Sequence, residues 1–303
     1  MATDRIQAMR IFRRVAELGS FSAAANDLDM TPATVSKHIA HLEHHLGTRL
    51  IHRTTRRMHL SDSGQLYLDN VQRLLDDLDE TELKIRGLDA SPKGKLRINA
   101  PMSFGLTHLC HVVDDFRNTY PDMDIDLQLT DYVVDLVEQG VDIAIRVRNE
   151  LPDSSLKARV LWQTYSTVCA SPSYLDKHGW PQHPVDLQNH NCLVFSLSSS
   201  PTVWQLGSHR INIPDHYRIN NSLAIRKSLL NHQGIALIPS FLVHEELRNG
   251  SLVSLLSDFP PNGHCVYAVF PPGRQTPRKA RLFIEHLEAW IGTPPCWEHS
   301  PLP

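Results

Sequence analysis

Thr34, Ser36, Lys37, His38 and His41 fall within eight consecutive residues, and Arg53, Thr55, Arg56 and Arg57 follow shortly after. These types in this pattern do not suggest covalent or acid–base chemistry. Short hydroxyls, an ammonium, imidazoles and guanidinium forks are donors suited to base edges and phosphate oxygens. The chain carries no phosphate-cradling Gly-rich loop, no H-E-x-x-H, no G-x-S-x-G and no cysteine pair at metal spacing. His41 and His45 stand one helical turn apart, but two imidazoles with no carboxylate or cysteine beside them make a poor metal site. The expectation is a binding protein with no catalytic residue, no metal and no cofactor.

The positioning elements are legible around these residues. Between Phe21 and Gly47 two apolar bursts repeat at helical spacing, Ala24, Ala25 and Leu28 in the first and Val35, Ile39, Leu42 and Leu46 in the second. They break at Asp29–Pro32, where Thr31 is a ready N-cap and Pro32 at the first helical position lacks a donor that would be orphaned anyway. So short a connection makes the helices cross steeply, as in a helix-turn-helix whose second member enters the major groove. A plain helical hairpin would show the same two bursts. In "LIHRTTRRMHLSDSG", Leu50, Met58 and Leu60 bracket an arginine-bearing tip that reads either as a two-stranded wing reaching phosphates or a minor groove, or as a solvated charge cluster. Residues 1–60 hold nine basic and five acidic side chains, +4, whereas residues 61–92 hold three and eight, −5. The overall net charge of −3 therefore hides a basic head, the footprint of a nucleic-acid binder.

The stretch from Ile11 to Gly64 resembles the winged helix-turn-helix of LysR-type transcriptional regulators. The resemblance rests on Phe21, Ala24–Ala25, Ser36, Leu42–Glu43, Leu46–Gly47 and the wing Arg53-Thr54-Thr55-Arg56. Asp29 stands where the family usually has the turn glycine, which Asp tolerates because it visits the left-handed region readily, and Ile51 replaces a usual phenylalanine. The DNA-binding set expected here is Ser22, Thr31, Pro32, Thr34, Ser36, Lys37, His38, Arg53, Thr55, Arg56 and Arg57.

Ser61 can cap a long helix with apolar residues at Val71, Leu78 and Ile85 and, at companion heptad positions, Tyr67, Leu74 and Leu88. Thr81 interrupts this seam, which either joins two copies into a homodimer or homotetramer or packs on its own domain. "DASPKG" has hinge composition. Beyond it, strand and helix patterns alternate: "KLRINA", a helix Leu106–Tyr120, "IDLQL", a helix in "YVVDLVEQG" and "DIAIRV" imply βαβ units on a parallel sheet. A second set follows in "YSTVCAS", "NCLVFS", "TVWQL", "HRINI", a helix near Ser222–Asn231 and "IALIP", before "CVYAVF" and a helix Pro277–Trp290 close the chain.

The expected fold is thus α/β with an all-α winged helix-turn-helix N-terminal domain, a long linker helix and, as the resemblance implies, a two-lobed effector domain like a periplasmic binding protein. Its divisions are 1–61 for the head, 62–88 for the linker and dimerisation helix, 89–94 for the hinge and 95–303 for the effector domain. Lobe I takes about 95–165 and 267–292, and lobe II about 166–266. The carboxyl ends of strands are where ligands bind in open α/β sheets. The effector set is accordingly Ser103, Phe104, Thr130, Asp131 and Arg146 on the first lobe and Phe195, Trp204 and Ser222 on the second. Ser103 could equally be a helix cap, and Arg146 could equally pair with Asp142. The implied partners are a double-stranded DNA operator, a small-molecule effector, by its donors an organic anion, and further copies of the chain. The five cysteines share no repeated spacing and read as reduced thiols, and no apolar run approaches a membrane span, so a cytoplasmic protein is expected. The competing class is a small-molecule binding protein with only non-specific nucleic-acid association, for which a dimer seam would be superfluous.

Overall fold

The computed structural model describes residues 5–53, 58–85, 92–149, 156–272, 276–295 and 297. Two compact units divide the chain at Ser91/Pro92.

In the first unit α1 (Arg5–Leu18), α2 (Phe21–Asp27) and α3 (Pro32–Leu46) bury Ile11, Phe12, Val15, Ala24, Ala25, Val35, Ile39 and Leu42 in one core. Leu46, at the end of the second burst, is left exposed. Thr31 caps α3 by accepting the Thr34 N–H at 3.2 Å, and Asp29 takes the left-handed conformation at φ 51°. The break between the helices is therefore built by local chemistry. Gly47 ends α3 at φ 69°, and β1 (Ile51–Arg53) pairs antiparallel with β2 (Met58–Leu60). Ser61 opens α4 (Asp62–Ile85), accepting the Gly64 N–H at 2.9 Å.

The seam on α4 differs from the expected one. Val71 is buried with Leu68 and Leu75 where α4 packs on α1, and the Tyr67 ring lies 5.5 Å from Phe12, so two expected seam positions serve the helix's own domain. Ion pairs Arg10–Asp79 and Arg13–Asp76 continue that contact. The apolar side chains left outward are Leu66, Leu74 and Ile85, at 64, 50 and 81% exposure. A long helix can offer two stripes, and the nearer partner took one. Leu88 lies outside the described residues.

In the second unit β3 (Gly94–Ala100) sends Leu96, Ile98 and Ala100 into the core, with β4 (Met123–Leu129) and β5 (Ile143–Arg148) parallel on its two sides. Between β3 and β4 runs one helical stretch: α5 (Met102–Phe104), a π turn Gly105–Leu109 and α6 (Cys110–Thr119). It starts four residues before the expected Leu106, because Asp131 accepts the Met102 N–H at 3.0 Å and the Gly105 N–H already reaches the Pro101 carbonyl at 2.8 Å. The helix expected in "YVVDLVEQG" does not form. Asp135 accepts the N–H groups of Val137 and Glu138, closing a single turn, and Gly140 at φ 64° ends it. Leu136 and Val141 pin that turn against Ala144 and Val269, while Val133 and Val137 are left exposed, so no second helical face is available to bury.

After β6 (Lys157–Thr164) the chain crosses into a second lobe built from β7 (Ser166–Ala170), α7 (Pro172–His178), β8 (Leu193–Phe195), the hairpin β9 (Val203–Leu206) and β10 (His209–Asn212), β11 (Tyr217–Ile219), α8 (Ser222–Leu230), β12 (Ile235–Pro239), α9 (His244–Asn249) and β13 (Val253–Leu255). Strand order β12-β7-β13 is antiparallel, β11 lies parallel to β8, and a Cys192–Ile235 bridge joins the two ladders. Finally β14 (His264–Phe270) crosses back and inserts antiparallel between β5 and β6, giving the order β4-β3-β5-β14-β6, and α10 (Arg278–Ile291) packs Phe283 on Phe116 of α6. Two crossings between two α/β lobes make a hinged pair. Among the described residues no helix is long and apolar enough to cross a membrane. Cys110, Cys169, Cys192 and Cys265 are free thiols, while Cys296 lies outside the described residues.

Candidate functional site

On the first unit the outer side of α3 and the start of α2 form one candidate interface. Ser22, Thr31, Pro32, Lys37 and His41 are exposed, and Thr34, Ser36 and His38 are half-buried at its margin. The Thr31 and Thr34 hydroxyls lie 2.8 Å apart, so each is already oriented by the other. His38 is placed less favourably than its spacing suggests, since its Nδ1 is shut away from solvent. The Arg53 side chain, Thr55, Arg56 and Arg57 lie outside the described residues.

Charge in this unit is less available than the sequence count implies. Arg10 and Arg13 are held by Asp79 and Asp76 of α4, and Arg14 is held by Asp27 and Glu17. Hydrogen bonding to Asp79 raises the Arg10 pKa, and the guanidinium of Arg14 holds the Asp27 carboxyl below the usual range. The acidic stretch after residue 60 thus partly neutralises the basic head from within. Lys37 stays exposed on the outer side of α3.

One residue that carries the resemblance has a positioning role its sequence context does not reveal. Glu43 on α3 reaches forward, its Oε1 accepting the N–H groups of Leu50 at 2.8 Å and Ile51 at 3.1 Å, and this ties the wing to the recognition helix. Glu43→Ala strands two partly buried donors and is expected to cost the unit roughly 2–3 kcal/mol, with Glu43→Gln costing about half as much. Thermal unfolding of the two variants measures the difference.

On the second unit the parallel register aligns the expected cleft residues. Ala100 pairs with Leu129 and Asn99 with Ala144, so Thr130, Pro101 and Arg146 stand in one row at the carboxyl edge of the sheet. Asp131 follows Thr130 and caps the helix start, and its Oδ2 lies 3.5 Å from Nδ2 of Asn221. Asn221 in turn caps α8 through the N–H groups of Leu223 and Ala224, directly before Ser222. Two helix N-termini, one per lobe, are therefore bridged by a single carboxylate–amide contact. Asn221 carried no distinguishing signal, because N-caps look alike in any sequence.

Arg146 is half-buried and donates to the Ile145 carbonyl at 2.8 Å. Asp142 does not pair with it, being engaged by the Arg97 N–H and Lys279, and among the described residues no carboxylate does. Burial, with Arg148 as a neighbouring like charge, lowers its pKa to about 10. Ser103 is the second residue of the helix rather than its cap and is 7% exposed. Its N–H and that of Phe104 lack intrahelical partners, as first-turn donors must.

Two expected site residues prove to be core. Phe104 is fully buried, its ring 5.7 Å from Phe241 and 5.4 Å from His108, and Trp204 is packed among Tyr174, Leu187 and Leu206 in the second lobe. A large aromatic near a strand end serves either purpose, and only the burial decides. Phe195 is half-buried at the end of β8, opposite Ile219.

A winged helix-turn-helix with a polar recognition face, followed by two hinged α/β lobes with a cation at the carboxyl edge, defines a ligand-responsive DNA-binding regulator. The chain belongs to the LysR family: the bacterial regulatory helix-turn-helix protein, lysR family, matches residues 6–65, and the LysR substrate binding domain matches residues 89–291. It is 34% identical to the HTH-type transcriptional regulator DmlR of Escherichia coli K12, over 97% of this chain and 95% of that protein. It is 33% identical to the HTH-type transcriptional regulator CrgA of Neisseria meningitidis serogroup C, over 95% of this chain and 97% of that protein. The solved structure of CrgA from Neisseria meningitidis superposes with a TM-score of 0.58 at 30% identity, covering 95% of this chain and 97% of that one. The protein is a LysR-type transcriptional regulator with a helix-turn-helix DNA-binding domain and an effector-binding domain.

Proposed function

We propose that this regulator reads its operator with the exposed face of α3 and the wing, and that a small organic anion held by the second unit changes that binding. The observation that carries the anion reading is Arg146, a half-buried cation without an acidic partner among the described residues, in one row with a helix N-terminus. A carboxylate there gains charge-assisted bonds from the guanidinium and from the first-turn N–H groups of Ser103 and Phe104, with Thr130 and Ser222 at the margins. The outward apolar positions of α4, Leu66, Leu74 and Ile85, support assembly of two or four copies. Such a seam sets paired heads at helical spacing on a duplex. The reading is of a non-catalytic protein acting in the cytoplasm, where the operator is.

The test is a titration of the protein on its own upstream DNA, with and without a panel of small carboxylates. Arg146→Gln is expected to weaken the active carboxylate about 10- to 100-fold, as loss of a charged hydrogen bond implies, and to leave effector-free operator binding unchanged. Equal affinity in the variant would remove Arg146 from the site. Lys37→Ala should weaken all DNA sequences alike and flatten the salt dependence by about one unit of slope.

A further inference from the structure

Trp297 lies past the end of α10, yet its side chain is enclosed, at 4% exposure. It packs where the two lobes meet. On the first lobe its ring centroid is 4.8 Å from His108 and 6.3 Å from Phe104, both in the helical stretch that starts at the carboxyl edge of the sheet, and 6.1 Å from Trp162 of β6. On the second lobe it is 5.8 Å from Phe241. Trp162 and Phe241 stand beside a crossing between the lobes. Trp162 comes shortly before Tyr165, whose carbonyl accepts the Ser240 N–H at 2.8 Å, and Phe241 follows Ser240 directly. Phe104 and Phe241 also meet edge to face at 5.7 Å, so the rings form one packed cluster drawn from both lobes. Close-packed rings do not deform smoothly, and a turn of one lobe against the other must rearrange them together.

We propose that Trp297 is a positioning residue of the hinge, a wedge between Phe104 and His108 on one lobe and Phe241 on the other that fixes how the lobes are set. Its approach is anchored, since Trp162 Nε1 donates to the Gly292 carbonyl at 3.0 Å just after α10. Two polar atoms of the cluster, His108 Nε2 and Trp297 Nε1, are shut from solvent with no hydrogen-bond partner among the described residues. Ring packing therefore holds the wedge, while its withdrawal returns both atoms to water. The balance is that of a contact able to open. An effector that turns the lobes works against this wedge, so the segment after α10 limits how far ligand binding can move the hinge. The wedge itself does not depend on the anion reading, and its test uses no effector.

Hydrogen exchange of the full chain, read by mass spectrometry without DNA, compares wild type with Trp297→Ala and Trp297→Phe. In Trp297→Ala the segments Gly105–Leu109, Ser240–Leu242 and 164–166 are expected to exchange about tenfold faster, with β4 and β13 unchanged, and Trp297→Phe is expected to restore most of the protection. Leu175→Ala, which opens a cavity in the separate core of the second lobe, is the stability control. It should not speed those three segments together. Unchanged exchange in Trp297→Ala overturns the proposal, and so does acceleration spread evenly over the unit, which an ordinary core residue would give. The same three-segment acceleration in Leu175→Ala overturns it as well. If Trp297→Ala does not fold, Trp297→Leu takes its place, keeping apolar bulk without the ring. Failure of both to fold makes Trp297 a plain core anchor and ends the proposal.

Discussion

Gly64→Ala is expected to destabilise the N-terminal unit by about 3 kcal/mol, although alanine is the better helix former by about 1 kcal/mol. Gly64 lies in the first turn of α4, and a Cβ built on it meets the Leu50 carbonyl oxygen at 2.0 Å and its carbon at 2.9 Å. That oxygen is itself fixed, accepting the Ser61 N–H at 2.9 Å. The obstacle is backbone, so no side chain can swing aside. Either the wing strand or the start of α4 must move; Glu43 ties the strand to α3, and Ser61 ties the start of α4 to Arg49 and Leu50. For a unit of this size, a loss of 3 kcal/mol lowers the melting temperature by roughly 12–24 °C. Thermal unfolding decides by sign: an increase in stability would mean that the helix and Leu50 are not in this contact.

The second large effect concerns acid stability. His108 sits in the π turn, 6% exposed, with Phe104 at 5.4 Å, Phe241 at 5.7 Å and Trp297 at 4.8 Å between ring centroids. Burial, with smaller contributions from the nearby charges of His244 and His111 and against a hydrogen bond to the Phe241 backbone, pushes its pKa down from 6.5 to about 4. A histidine whose folded pKa is depressed is neutral in the native state and binds a proton more readily when unfolded. Its contribution is therefore fully present above pH 6.5 and is lost as pH falls from about 6.5 to about 4, amounting to about 3 kcal/mol. His108→Phe keeps a ring in the aromatic box but cannot titrate. The variant removes a buried ring nitrogen, Nε2, that has no hydrogen-bond partner among the described residues, and its acid limb is flattened over that window. Urea unfolding at pH 7, 6, 5 and 4 compares the slopes. His190 and His264 are also shifted down by burial, but they remain in the variant, so the difference isolates His108. Equal slopes would mean that His108 titrates normally and is not enclosed.

The helix-turn-helix was legible because its determinants are local. Thr31, Pro32 and Asp29 settle within a few residues where α3 begins, and the spacing of Val35, Ile39 and Leu42 settles which side is buried. Ser61 and Gly64 open α4 by the same short-range rules. The strands "KLRINA", "IDLQL" and "DIAIRV" were equally plain from their apolar runs, and the resemblance to LysR regulators supplied the two-lobed arrangement that composition could not.

What tertiary structure decided were choices between partners of equal local merit. The heptad positions Tyr67 and Val71 suit a second copy or α1, and packing on α1 claims them while Leu74 and Ile85 remain outward. Nine basic residues in the head look alike in sequence, yet Arg10, Arg13 and Arg14 are matched to carboxylates that lie 69, 63 and 13 positions away. "YVVDLVEQG" has helical periodicity, but Asp135 and Gly140 close a single turn in which Leu136 is buried and Val133 and Val137 are exposed. Asp131 and Asn221 are 90 positions apart and meet only because two lobes face each other. Periodicity and capping act over one or two turns of chain and so are written in the sequence. Pairing across long separations depends on which surfaces the folded backbone brings together, and no local preference encodes that.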